Sequence, residues 1–139
     1  MKQKLTARDI QSIAKLAIWV LVIAYLCFSS GEHFHEFKIG SFVPEWLLPY
    51  MDKIVHFCMF FGLAFLIKSL YWQKTVEQKP YYILLVAGVG YAALTEVIQY
   101  YFIYMRSGDV RDFACDIAGM TLSVLIFPYW PRFVRWLLG

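Results

Sequence analysis

Four long apolar runs separated by short polar stretches set the pattern of the chain, over residues 10–30, 52–72, 81–105 and 113–129. An α-helix needs about 17–25 such residues to cross a hydrocarbon core roughly 30 Å thick. The pattern therefore predicts an all-α polytopic membrane protein: one domain, residues 1–139, with four transmembrane helices. The ten-residue alternation of a membrane β-barrel is missing from the sequence.

The polar positions refine each run. Lys2, Lys4 and Arg8 precede the first, and Lys15 lies close enough to its start to snorkel to the headgroups. A signal peptide is the rival reading. The run is long for that, C-F-S-S-G-E gives no small-x-small cleavage site, and Leu26 is wrong for a lipoprotein box at Cys27, so a retained helix is expected. Asp52 is placed to cap the second run and Pro80 to open the third. Gly88, Ala92, Glu96 and Gln99 share one face of the third helix, and Asp112, Asp116, Gly119 and Ser123 share one face of the fourth. Pro128 and Pro131 end the fourth, and the basic, aromatic tail reads as an interfacial anchor.

Composition supports the membrane class. Of 139 residues 60% are hydrophobic, only 17% are charged, and the mean hydropathy is +0.55. The partner this implies is the lipid bilayer. With no basic stripe interleaved with aromatics, nucleic acid is not expected. Cys27, Cys58 and Cys115 lie in or beside apolar runs, where buried packing thiols are expected. In E-H-F-H-E, residues 32–36, two His at i, i+2 do not make a recognised metal spacing, and a solvated loop is expected.

Charge asymmetry gives an orientation. The termini and the 73–80 loop share one side with Lys2, Lys4, Arg8, Lys15, Lys68, Lys74, Lys79, Arg132 and Arg135; Lys38, Lys53, Arg106 and Arg111 lie on the other. The positive-inside rule then places both termini in the cytoplasm.

On that orientation His56, Glu96, Gln99, Asp112 and Asp116 come from three helices yet fall in the outer half of the membrane, with Lys53, Arg106 and Arg111 at the rim. A polar pocket open to the outer face or sideways to the outer leaflet is expected. Carboxylates placed so must be protonated, paired or wetted, and in a bilayer they mark a functional site by default. The alternatives differ by residue. Asp109 reads as an N-cap, and Asp112 as either a first-turn acid or a site residue. Asp116 is too deep to cap, His56 alone could be a core histidine, and Arg106 is the natural counter-ion of a structural network. His56, Glu96, Asp112 and Asp116 are the candidate catalytic groups; Asp52, Lys53, Gln99, Arg106 and Arg111 are the candidate ligand-binding groups. A His with two or three acids could hold a divalent metal at His56, Glu96 and Asp116, act as general acid and base, or relay protons.

These residues resemble the VanZ-like family, named for the teicoplanin-resistance accessory protein. D-K-I-V-H-F from Asp52 to Phe57 looks like its D-K-x-x-H-F segment, and E-V-I-Q from Glu96 to Gln99 like its E-x-x-Q. R-S-G-D-V-R-D-F-A-C-D-I-A-G from Arg106 to Gly119 resembles its R-x-x-D…D-x-x-x-N-x-x-G block, with Asp116 where many members have Asn; Ser29 and Ser30 follow the first helix as in the family. The resemblance matches at Asp52, Lys53, His56, Glu96, Gln99, Arg106, Asp112 and Gly119. It implies a small multi-pass protein of the bacterial cytoplasmic membrane, in a family with no general biochemical activity established. Three functions follow as expectations. The first is binding or modifying an envelope lipid, lipid-linked glycan precursor or amphiphile, with a link to glycopeptide resistance in view. The others are a small proton or ion carrier and a non-catalytic structural subunit.

Overall fold

The computed structural model describes residues 7–28, 44, 46–47, 50–72, 79–103 and 108–131. Among these there are four α-helices and no strand: α1 (Ala7–Phe28), α2 (Met51–Trp72), α3 (Lys79–Phe102) and α4 (Val110–Ile126), which runs on into a 3-10 turn (Phe127–Tyr129). The chain is thus all-helical, as expected. Asp9–Phe28, Met51–Tyr71 and Tyr82–Phe102 are long and apolar enough to cross a membrane. The fourth helix has 17 residues and carries Arg111, Asp112 and Asp116 near its start, so it is shorter and less apolar. At 1.5 Å per residue it is about 25 Å long, and the 3-10 turn adds roughly 6 Å.

The centre of the bundle is α2. Of its apolar window 44% is buried, against 17% for α1 and 28% for α3. Its Met59, Phe60, Leu63, Ala64 and Ile67 form the core with Ile23 and Cys27 of α1, Ala92 of α3 and Met120 of α4. The directions of the helices follow from which residues meet. Lys53, His56 and Phe65 of α2 meet Asp112, Asp116 and Phe127 in rising order, so α2 and α4 run parallel. Phe60 and His56 meet Tyr91 and Glu96 in the opposite sense, so α3 is antiparallel to α2. Val20 and Cys27 of α1 meet Tyr91 and Gln99, so α1 runs with α3. The result is an up-down-up-down bundle.

Close packing of α4 on α2 depends on Gly119. A Cβ at this position would run into the carbonyl of Phe57 and lie 3.1 Å from the amide nitrogen of Phe61. Backbone therefore lies on backbone, as small residues allow between membrane helices. All four residues of the expected α4 face, Asp112, Asp116, Gly119 and Ser123, are buried, as are Ala92, Glu96 and Gln99 on α3.

Side chains bonded to helix carbonyls tie α1 to the rest. Trp19 Nε1 donates to Met59 O at 2.9 Å, Tyr91 OH to Val20 O at 3.0 Å, and Gln99 Nε2 to Cys27 O at 2.9 Å. Gly62 makes room for the first of these, since a Cβ there would lie 2.7 Å from the Trp19 ring. The outer faces carry Ile18, Leu21, Tyr25, Ile83, Val86, Leu94 and Val97, the apolar surface a bilayer would cover.

Gly119→Ala is expected to lower stability by about 1–3 kcal/mol, because the added methyl overpacks a backbone contact that cannot yield. Gly90→Ala, where a Cβ meets nothing within 4 Å, should be neutral or stabilising by up to about 1 kcal/mol. Unfolding in detergent micelles measures both, and equal effects would contradict the packing described.

Candidate functional site

The polar end of the bundle is built at the start of α2, the end of α3 and the start of α4. His56 lies one turn inside α2 and Asp116 at a matching depth on the parallel α4. The spacing holds His56 Nδ1 3.1 Å from Asp116 Oδ1. Glu96 approaches from α3, six residues before its end at Phe102, with Oε1 3.6 Å from the same nitrogen. All three are buried: Asp116 is 0% exposed, His56 1% and Glu96 8%.

A second layer sits above. Lys53 Nζ lies 3.0 Å from Asp112 Oδ1 and 3.3 Å from Asp109 Oδ2. Asp109 has three roles. It caps α4, accepting from the Arg111 amide at 2.9 Å; it pairs with Lys53; and its own N–H donates to Glu96 Oε2 at 2.9 Å. The hydrogen bond from the Arg111 amide, and then Lys53, hold the Asp109 carboxyl below its ordinary range. Gly108 is needed for this return of the chain, since a Cβ there would strike the Glu96 carbonyl.

The sequence-predicted residues divide as follows. His56, Glu96 and Asp116 come together. Asp112 joins Lys53 and is buried; Asp52 is exposed and lies within the first turn of α2 rather than capping it. Each of Asp52, His56 and Asp112 brings a potential ligand atom within 4.8 Å of the others. Gln99 turns to α1 and bonds the Cys27 carbonyl, while the Arg111 residue is exposed. Arg106, the expected counter-ion, lies outside the described residues, as does E-H-F-H-E; Lys53 is the cation seen on the acids. Glu96 lies roughly 9 Å in from the end of α3, which comes at Phe102 rather than at the expected residue 105.

Asp109 is the residue of this polar cluster that the sequence pattern undervalues. Its D-V-R-D spacing identifies the cap correctly but gives no sign of the bond to Glu96, thirteen positions away. A signal was present in Lys53, which sits three residues before His56 on the same helical face and needs an acid at the rim.

The family model described as VanZ/LLP1 matches residues 6–134. The chain belongs to the VanZ/LLP1 family. Neither a curated protein nor a solved structure matches it. As a VanZ/LLP1 member with apolar spanning helices it is a membrane protein. The positions that carry the sequence resemblance fall together in the bundle wherever they are described. Asp52, Lys53, His56, Glu96 and Asp112 lie in the two charged layers, Gln99 joins α3 to α1 beside them, and Gly119 sets the α2–α4 approach.

Chemically, an imidazole facing a carboxylate through Nδ1 has its tautomer set, with Nε2 as the basic nitrogen when the proton is on Nδ1. Glu96 supplies a second acid, and Lys53 is committed to two acids. The arrangement suits proton transfer or cation binding better than capture of an anion.

Lys53→Met should destabilise the fold by about 2 kcal/mol, because Asp112 is left buried beside an apolar chain. Arg111→Ala should change stability by less than about 0.5 kcal/mol. Because the Asp109 carboxyl is depressed when folded, its contribution is full above its ordinary 3.8 and is lost as pH falls through the lower folded value. Asp109→Asn should therefore flatten the acid side of a melting-temperature profile; an unchanged profile would count against the Lys53–Asp109 pairing.

Proposed function

We propose that this VanZ/LLP1 protein sits in the bacterial cytoplasmic membrane with both termini inside and binds or modifies an envelope amphiphile. The amphiphile is an envelope lipid or a lipid-linked glycan precursor, held with its chain along the apolar bundle and its head at the polar end. One observation carries the reading: His56, Glu96 and Asp116 converge from three helices, with both acids 3.1–3.6 Å from the imidazole and all three buried inside the bundle. Ionisable groups inside a membrane bundle are costly and are kept there mostly for function.

The charge balance narrows the head group. Asp52, Glu96, Asp109, Asp112 and Asp116 surround Lys53 and His56. A head offering hydroxyl or amine donors suits this end, with His56 as the group that would take a proton from a hydroxyl and Asp116 orienting it. The family's name-giving member connects the reading to glycopeptide resistance, which makes teicoplanin susceptibility the phenotype to score.

The test is native mass spectrometry of protein extracted from its own membranes, beside the susceptibility of the producing cells. Wild type should retain a defined amphiphile, and Glu96→Gln should lose it while expression and melting stay nearly unchanged. The same lipids on both proteins would remove the reading. A large loss of folded protein in Glu96→Gln and His56→Ala alike would favour a structural subunit, and proton flux above empty vesicles in liposomes would favour a carrier.

A further inference from the structure

The inner three residues have a property that proton transfer alone does not require. One potential ligand atom from each of His56, Glu96 and Asp116 lies within 4.8 Å of the other two. The separations from His56 Nδ1 are 3.1 Å to Asp116 Oδ1 and 3.6 Å to Glu96 Oε1. Two donors on one tetrahedral ion at about 2.0–2.1 Å stand roughly 3.3 Å apart, between those two values.

A separate observation concerns hydrogen bonding. Among the described residues, Glu96 Oε1 and Asp116 Oδ2 are buried and have no hydrogen-bond partner. Buried carboxylate oxygens are ordinarily satisfied, so two orphans on neighbouring residues point to a missing partner. The orientation of Glu96 is also fixed: the Asp109 amide holds Oε2 at 2.9 Å and leaves Oε1 towards His56. The upper group, Asp52, His56 and Asp112, is the weaker candidate because Lys53 already occupies Asp112 at 3.0 Å.

We propose that His56, Glu96 and Asp116 form a binding site for a divalent first-row metal ion of the zinc or manganese class. Each residue gives one ligand, and water or a head-group oxygen completes the coordination. One imidazole and two carboxylates make a borderline-hard donor set that suits these ions and disfavours thiophilic ones. Helix bundles commonly build metal centres from donors projecting inward on facing helices. The ion takes the place of a proton at the cluster, so binding releases protons and weakens at acid pH. The site stands independently of the amphiphile, since it can be measured with no lipid substrate present.

The experiment strips the full-length protein with chelator in detergent, then titrates Zn²⁺ and Mn²⁺ separately by equilibrium dialysis with elemental analysis. Wild type should saturate at a single tight equivalent of at least one of the two, with a rise in melting temperature and measurable proton release. Glu96→Gln, Asp116→Asn and His56→Gln should each weaken binding at least tenfold, and Gly90→Ala should bind as wild type. Co²⁺ in the same site should give a d–d absorption band that is lost with His56→Gln. Glu96→Gln retains an acceptor for the Asp109 amide, so it carries the comparison where Asp116→Asn does not fold. The proton release and the rise in melting temperature need no variant at all. Absence of saturable binding by wild type, or equal binding by wild type and Glu96→Gln, overturns the proposal.

Discussion

The buried contact between His56 and Asp116 is the interaction on which the polar end of the bundle depends. It joins two parallel helices at matched depth, 3.1 Å apart, with both residues closed from solvent. Neither side chain could stand there alone, because an unpaired polar group in an apolar core costs several kcal/mol. The pair demands close helices, and Gly119, less than one turn beyond Asp116, supplies the approach by letting the Phe57 backbone lie against α4. Packing and polar chemistry are one requirement here: a bulkier residue at 119 would push α4 outward and separate the imidazole from its acid.

The two ends of the bundle are held in different ways. At the polar end the Asp109 amide reaches Glu96 while its carboxylate reaches Lys53. Three helices are thereby locked through a single loop residue. At the far end Phe65 of α2 packs on Phe127 and Trp130, with ring centroids 4.9 and 5.2 Å apart. Aromatic packing needs no partner for charge. Between the ends α1 is fastened by Trp19, Tyr91 and Gln99, each using a donor on a backbone carbonyl. Among membrane helices, which lack a hydrophobic drive to associate, bonds of this kind contribute more to specificity than to raw stability.

Much of this is legible in the sequence. The four runs mark the helices, and the 3.6-residue period places Glu96 with Ala92, and Asp116 with Gly119, on faces that prove buried. The meeting of His56, Glu96 and Asp116 follows from counting depth along antiparallel spans. Specific partnerships are not legible, because they depend on the rotation of one helix against another. Among the described residues Lys53 is the cation seen on the rim acids, and Gln99 is drawn to the Cys27 carbonyl. Asp109 reads as a cap and is one, but its amide bond to Glu96 arises only where Gly108 lies close against the Glu96 carbonyl. The expected open pocket is likewise a matter of fit between helices, and what the structure displays at that point is a buried trio beneath a charged rim.

The pairing itself is tested most directly by a double-mutant cycle. His56→Gln, Asp116→Asn and the double variant would be unfolded reversibly in the same micelles and their stabilities compared. A direct buried contact predicts that the double variant loses less than the sum of the two singles, with a coupling of about 0.5–3 kcal/mol. Simple additivity within about 0.5 kcal/mol would mean that the two side chains do not meet, and would contradict the account at its centre.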